Sequence, residues 1–314
     1  MSLYKNCLLC PRRCGADRDT GKRGICGETA ELRISFAGIH RGEEPPITGT
    51  GGSGTVFITG CNLGCVFCQN YQISQRGMGR PVSTEEFADI CLRLQDKGAG
   101  NINIVTGSHV VAALAPGIET AKKRGLFIPI LWNSSGYDGS VTLDILKDYI
   151  DVYLPDLKTL DSGIAAKFFN APDYPKHAAA SILKMMELRE LRFDAGGIMV
   201  SGVMVRHLVI PGYLEATRQV LAWFSKNCRN RALLSLMTQY TPVHDPDTRS
   251  RTEIPGRYIS EDEYDAVLSM LDEFGIDDGF CQELVTSSNW LPDFSRQNPF
   301  SSDLSVPVWH WQKE

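Results

Sequence analysis

The chain is 314 residues long, 43% hydrophobic and 22% charged, with a formal net charge of −5. That length holds one large domain with an appendage, or two domains, and its scattered Lys and Arg form no basic stripe of the kind that binds nucleic acid. No apolar run is long enough to span a bilayer and the N-terminal "MSLYKNCLLCPRRC" lacks the apolar core of a signal peptide, so a cytoplasmic protein with no membrane partner is expected.

Residues 1–50 carry four cysteines among arginines and glycines, show little periodicity, and read as a separate N-terminal module. The segment "GEEPPITGTGGSG" closes it as a loop. Gly49, Gly51 and Gly54 match G-x-G-x-x-G formally, but the match precedes a strand instead of following one, so it reads as a flexible connection and not a dinucleotide site. Strands and helices then alternate. "TVFIT" (55–59) is a buried strand, and 84–98 a helix with Ser83 and Glu86 at capping-box spacing. A strand follows at 101–106, and a helix at 110–124 with Gly125 at its end. The pattern continues with a strand at 126–132, a helix at 141–149, a strand at 151–155 and a long helix at 175–193. Residues 197–211 contain a strand, 213–227 form a helix and 232–237 a strand. A helix at 260–275 and a last strand at 278–285 complete the series. Such β-α units imply an α/β fold with a parallel sheet and outer helices. Their number suits an open partial barrel of about six units over 51–285, a (β/α)6 arrangement, better than a closed eightfold one. Chemistry is then expected at the C-terminal ends of the strands. The extension 286–314 has Pro and aromatics without periodicity, and covers either the barrel's side or an open edge.

Ten cysteines are many for a reducing compartment, where they read as metal ligands or catalytic groups and not as disulfides. Cys91, Cys228 and Cys281 stand alone and read as small core hydrophobes. "TGCNLGCVFCQN" places Cys61, Cys65 and Cys68 in C-x3-C-x2-C directly after the first barrel strand, with Gly60 and Gly64 letting the backbone turn around something bulky. Three thiolates suit a 4Fe–4S cluster in which one iron has no protein ligand, and an open coordination position is where a metal does chemistry. The alternative is a zinc knuckle with a distant fourth ligand such as His109. Cys7, Cys10, Cys14 and Cys26, in C-x2-C-x3-C-x11-C, form a complete four-thiol set for a structural zinc or for an auxiliary iron–sulfur cluster. Arg12, Arg13, Arg18, Lys22 and Arg23 make this module basic, and read as a solvated face more readily than as a dock for an acidic electron donor.

The three-cysteine motif, with Phe67 just before the third cysteine, resembles that of the radical S-adenosylmethionine (SAM) enzymes. The resemblance implies that the open iron is chelated by S-adenosylmethionine, that one electron from the cluster splits the sulfonium, and that a 5′-deoxyadenosyl radical abstracts hydrogen from substrate. "CVFCQNYQIS" is similar to the activating enzymes of glycyl-radical proteins, and the chain resembles their pyruvate formate-lyase activating enzyme-like branch with an N-terminal cysteine group. "DVYLPDLK" then puts Asp156 and Lys158 beside the cofactor, with a structural ion pair as the alternative. "VRHLVIPG" puts Arg206 there too; alternation sends one of Arg206 and His207 into the barrel and leaves open which. "LMTQYTP" makes Gln239 and Tyr240 candidates. Where the family ends its second strand with Gly-Gly-Glu-Pro, this chain has "VTGSH", so Thr106, Ser108 and His109 occupy the place that binds the methionine amino group. Asn133, Ser134 and Ser135 end the third strand as cofactor contacts or as a turn. His40, His177, His244 and His310 gain no role. The resemblance implies a flavodoxin or ferredoxin donor, an anaerobic or facultative source, and a glycyl-radical protein as substrate. A small-molecule or peptide substrate is the second reading, and a zinc-stabilised non-enzymatic scaffold the third.

Overall fold

Strand β1 (Arg33–His40), helix α1 (Pro45–Thr48) and strand β2 (Ser53–Ile58) open the fold in the computed structural model, which describes residues 2–243 and 254–313. His244 lies outside the described residues. After β2 come α2 (Tyr71–Ser74), β3 (Arg80–Pro81), α3 (Thr84–Asp96), β4 (Asn101–Val105), α4 (Val111–Lys123), β5 (Ile130–Ser134), α5 (Ser140–Leu146) and β6 (Val152–Pro155). Two helices, α6 (Ser162–Phe169) and α7 (Tyr174–Leu188), precede β7 (Arg192–Phe193), β8 (Met199–Leu208), α8 (Leu214–Asn227) and β9 (Leu233–Met237). Helix α9 (Glu261–Glu273), β10 (Gly279–Cys281) and β11 (Ser305–His310) complete the described elements. The described strands form an 11-stranded sheet ordered β10-β9-β8-β6-β5-β4-β2-β1-β11, with β3 beside β1 and β7 beside β8. From β2 to β10 along this order every neighbour is parallel, while β1 and β11 are antiparallel additions. This is the expected α/β partial barrel, open at β10 and β11. No helix among the described residues is long and apolar enough to cross a membrane.

Both faces of the parallel strands are covered. Leu131, Val152, Leu154, Met204 and Leu233 gather with Ile47 of α1 on the inner face. Ile102, Ile104, Ile130, Tyr153, Val203, Val205, Leu234 and Leu236 belong to the larger core shared with the helices. Two-sided burial explains why these strands read as apolar runs without alternation.

Local chemistry sets the boundaries. Ser83 accepts the Glu86 N–H at 3.1 Å and starts α3, but the Glu86 carboxylate turns to Arg80 rather than back to the cap. At α9 Ser260 and Glu263 form the full reciprocal capping box. Strand β5 starts at Ile130, later than the sequence suggests, because Pro129 has no N–H to give a ladder. Helix α6 is an addition to the expected order, capped by Asp161 on the Ile164 N–H at 2.8 Å and closed by Asn170 at φ 49°. Helix α7 stops at Leu188, because Arg192–Phe193 leave to pair with β8. Strands β1 and β11 are also additions: β1 lies within the N-terminal stretch read as non-periodic, and β11 lies in the extension. The extension therefore extends the sheet past β1, and Phe294 packs edge-on against Phe57 at 5.3 Å. Cys91 and Cys228 are buried as expected, whereas Cys281 is exposed, because it sits on the short end strand β10.

Candidate functional site

The loop after β2 turns back sharply at Gly60, whose φ is +76°. A side chain there would strike Glu28 Cγ at 2.4 Å and the Cys26 carbonyl oxygen at 2.8 Å, so glycine allows the N-terminal segment to lie directly on this loop. The Cys61 N–H donates to the Cys26 carbonyl at 3.2 Å. Cys65 and Cys68 close a turn through the Cys68 N–H and Cys65 carbonyl at 3.1 Å, and Cys68 Sγ lies 3.3 Å from Ser74 Oγ on α2. Burial raises both thiols above their ordinary range, Cys68 to about 11. Buried thiols of this kind become thiolates when a metal or a cation takes up the charge.

Arg12, expected to be solvated, holds this loop from outside. Its guanidinium donates to the carbonyls of Asn62 (2.8 Å), Leu63 (2.9 Å), Phe169 (2.7 Å) and Asn170, and lies 5.5 Å from the Tyr137 ring centre. Beneath the loop, Phe67 is buried edge-on to Phe168, Phe169 and Tyr240 at 5.5–6.1 Å. Tyr240 is thus a packing partner of Phe67, and its hydroxyl donates to the Pro255 carbonyl at 2.9 Å. Gln239 meets the loop through its carbonyl, which accepts Gln69 Nε2 at 3.0 Å, and its side chain accepts Gln282 Nε2 at 3.1 Å.

Asp156 and Lys158 leave β6 on the same side and pair at 2.6 Å. Burial by itself would lower Lys158; Asp156 and the neighbouring Cys65 outweigh it and hold the ammonium above its ordinary value. Tyr174 of α7 went unnoticed in the sequence. Its buried hydroxyl lies 3.0 Å from the carbonyls of Ser135 and Asp156 and accepts the Lys158 N–H at 2.9 Å, so it ties the ends of β5 and β6 together. A tyrosine early in a helix gives no sequence sign of this.

The end of β4 carries Thr106 in the left-handed region, at φ 63°, with its N–H on the Asn133 carbonyl at 2.8 Å. Ser108 has its hydroxyl on Asp138 Oδ1 at 2.6 Å. Trp132 Nε1 reaches the same oxygen at 3.3 Å, and Ser134 Oγ reaches Oδ2 at 2.5 Å. Burial outweighs these bonds and raises Asp138. Ser135 Oγ faces Asn62 Oδ1 of the cysteine loop at 3.5 Å. His109 is buried and donates from Nε2 to the Thr59 carbonyl at 2.7 Å, while its Nδ1 has no partner among the described residues. Burial lowers it to about 4, so it is neutral.

Arg206 points inward, and His207 points outward to α8. Arg206 Nε donates to Glu44 at 2.9 Å and Nη2 contacts both Glu43 and Glu44. Asn103 Nδ2 supports Glu43 at 3.2 Å. Arg206 is therefore the centre of an ion-pair network inside the barrel, with partners from the segment before α1 that no sequence signal marks.

The cysteines of the loop, Lys158, Asp156, Thr106, Asn133, Ser135, Phe67 and Gln239 thus meet at the C-terminal mouth of the parallel strands, where this architecture places its chemistry. Among the described residues no group of three or more His, Cys, Asp or Glu converges on a position for a single metal ion. A polynuclear cluster makes a different demand, because its thiolates bind separate irons. Three cysteines on one loop offer a soft donor set of that kind, and the Lys158 ammonium lies beside Cys65.

A family profile described as the Radical SAM superfamily matches residues 55–224. An uncharacterized protein of Methanocaldococcus jannaschii is 30% identical over 289 residues, covering 88% of this chain and 77% of its own. The pyruvate formate-lyase-activating enzyme of Clostridium pasteurianum is 24% identical over 202 residues, covering 62% of this chain and 78% of its own. Among solved structures, Streptococcus suis SuiB aligns at 16% identity with a TM-score of 0.49, over 74% of this chain and 48% of that one. The chain thus spans about half the length of that structure.

Proposed function

Because the chain belongs to the radical SAM superfamily, we propose that Cys61, Cys65 and Cys68 hold a 4Fe–4S cluster and that the protein activates a partner protein by abstracting a glycyl hydrogen. Membership in the superfamily implies the cluster and S-adenosylmethionine, and with them SAM-cleaving radical chemistry. When bound, they supply one electron to the sulfonium and so a carbon radical able to abstract hydrogen. The chain's own residues do the rest. Lys158, held charged by Asp156, would meet the methionine carboxylate, and Asp156 is kept in place by the Tyr174 clamp on its carbonyl. The Thr106 and Asn133 strand ends and Ser135 offer hydroxyl and carbonyl acceptors for the methionine ammonium. Phe67 and its aromatic neighbours exclude water under the loop. The donor is a low-potential flavodoxin or ferredoxin.

The placement of the three thiols at the mouth, with Lys158 beside Cys65, carries this reading. The protein-substrate version draws support from the C. pasteurianum activating enzyme among the relatives. It is tested by anaerobic reconstitution, an assay for 5′-deoxyadenosine with S-adenosylmethionine and a strong reductant, and a Cys65→Ala control. Product from the unmutated chain alone is expected. Electron paramagnetic resonance (EPR) after mixing with a glycyl-radical protein should then give a glycyl radical signal. Cofactor cleavage without that signal would move the substrate to a peptide or small molecule. Zinc with no 5′-deoxyadenosine would overturn the reading and leave a scaffold.

A further inference from the structure

The N-terminal segment contains a buried charge with no carboxylate to match it. Arg18 is 1% exposed. Its guanidinium donates to the carbonyls of Glu28 (3.1 Å), Thr29 (2.5 Å) and His109 (2.5 Å), and Nη1 lies 3.6 Å from Cys7 Sγ. Its plane sits 4.6 Å from the Tyr4 ring centre. Among the described residues no carboxylate pairs with it; nearby Glu28 is taken by Arg33 at 3.1 Å. Carbonyl dipoles solvate a guanidinium, but a fully buried cation calls for an anion. Cysteines lie beside it, with Cys7 Sγ in contact and Cys26 acting on its charge. Cys7, Cys10 and Cys26 are buried, and Gly24 is seated between two of the sulfurs, since a side chain there would lie 3.3 Å from Cys26 Sγ and 3.4 Å from Cys14 Sγ. Four neutral thiols would leave Arg18 unmatched. Four thiolates around a 4Fe–4S cluster, each binding a separate iron, carry a net negative charge that answers it.

The same arginine reaches the catalytic loop. Its partner carbonyl belongs to His109, whose Nε2–H donates to Thr59, two residues before Cys61. Independently, the Cys26 carbonyl accepts the Cys61 N–H at 3.2 Å, so a cysteine of each group is one hydrogen bond from the other.

We propose that Cys7, Cys10, Cys14 and Cys26 hold an anionic 4Fe–4S cluster matched by Arg18, and that loading this cluster positions the catalytic cysteine loop through Cys26 and His109. The second half rests on the reading of Cys61, Cys65 and Cys68 given above; the first half does not. Arg18 is a positioning residue.

The test is iron and zinc analysis of the full chain purified anaerobically, with EPR of the reduced protein before and after S-adenosylmethionine. About eight irons are expected per chain; about four irons and one zinc would put a single ion at the N-terminal cysteines and overturn the cluster. Cys65→Ala should lose one cluster's iron and keep the N-terminal metal, so this site can be read even if no 5′-deoxyadenosine forms. Cys14→Ser, at the most accessible of the four, should lose the N-terminal metal and at least halve the SAM-induced EPR change of the remaining cluster. Arg18→Met should weaken metal retention about 10–100-fold, as loss of an outer-shell partner does, while Arg18→Lys keeps the charge and retains the metal; this pair is decisive if Cys14→Ser does not fold. Iron for one cluster only in the unmutated chain overturns the proposal, as does equal metal retention in Arg18→Met and Arg18→Lys. An unchanged EPR response in metal-depleted Cys14→Ser overturns the coupling.

Discussion

Replacing Arg206 with Met removes the one cation from a network whose two carboxylates cannot reach water freely. The side chains of Arg206, Glu43 and Glu44 are 8%, 13% and 10% exposed. Burial alone would raise the Glu44 carboxyl; Arg206 facing it reverses this and holds it below the usual carboxylate range. Without Arg206, two like charges share one low-dielectric site, and breaking a buried pair in this way costs about 3–5 kcal/mol. The variant should therefore unfold at much lower urea at pH 7. Acidification should close part of the gap, because protonating the orphaned carboxylates removes the charge that is costly to bury. The triple variant Arg206→Met/Glu43→Gln/Glu44→Gln removes cation and anions together and should recover most of the loss, to within about 1–2 kcal/mol of the parent. Urea midpoints give the stability side, and the KM for S-adenosylmethionine in 5′-deoxyadenosine formation gives the functional side. If the triple variant regains stability but not cofactor affinity, Arg206 also serves the cofactor, as its sequence context implies. An Arg206→Met loss below about 1 kcal/mol, the value of an exposed pair, would refute the network.

His207 should make the protein acid-sensitive. Its Nδ1–H donates to the Leu157 carbonyl at 2.7 Å, Nε2 accepts Thr217 Oγ1 at 3.0 Å, and burial lowers it to about 4. The unfolded chain takes the proton first, so the stability is full above the ordinary value of 6.5 and is lost as pH falls toward 4. Between pH 7 and pH 5 this costs about 2 kcal/mol; His207→Gln should show that much less pH dependence in urea unfolding, and equal slopes would discard the assignment. Two loop glycines separate backbone strain from crowding. Gly64, at φ +70°, has nothing near its missing Cβ, so Gly64→Ala should cost only the left-handed penalty, about 1 kcal/mol. Gly60→Ala adds a collision with Cys26 and should cost at least twice as much in thermal unfolding; equal costs would show that the N-terminal segment does not press on the loop.

What the sequence made legible is what is local. C-x3-C-x2-C, its flanking glycines and the Ser83 cap act within a few residues of themselves; Ser83 starts α3 where its spacing puts it, although Glu86 leaves the reciprocal bond for Arg80. The partial barrel was readable because most β-α units repeat the same punctuation. Strand β1 was not, because "RISFAGIH" is buried on both faces between β2 and β11 and has no alternation to show. Helix α6 was missed although Asp161 and Asn170 mark its ends, since eight residues give the helical period little room. Arg12 and Arg18 were read as solvated because a charged residue in a polar loop usually is; their actual partners are backbone carbonyls, which no sequence pattern distinguishes. Arg206 and His207 could not be ordered from alternation alone. Glu43 and Glu44 decide it, from 163 and 162 residues away.

Arg206, Lys158 and Arg18 are among the buried or half-buried cations around the mouth and the N-terminal segment, and their partners divide them. Arg206 meets two carboxylates, more negative charge than it carries. Lys158 meets one, Asp156, and then faces Cys65. Arg18 meets none and faces Cys7. Cation excess thus increases toward the sulfurs, in the order in which thiolate charge would be needed to balance it. Thiols held neutral by burial would leave Arg18 costly and Lys158 merely paired; thiolates bound to metal would match both. The arrangement of fixed positive charge is thus what the clusters proposed at both cysteine groups require, on electrostatic grounds that do not depend on their spacing.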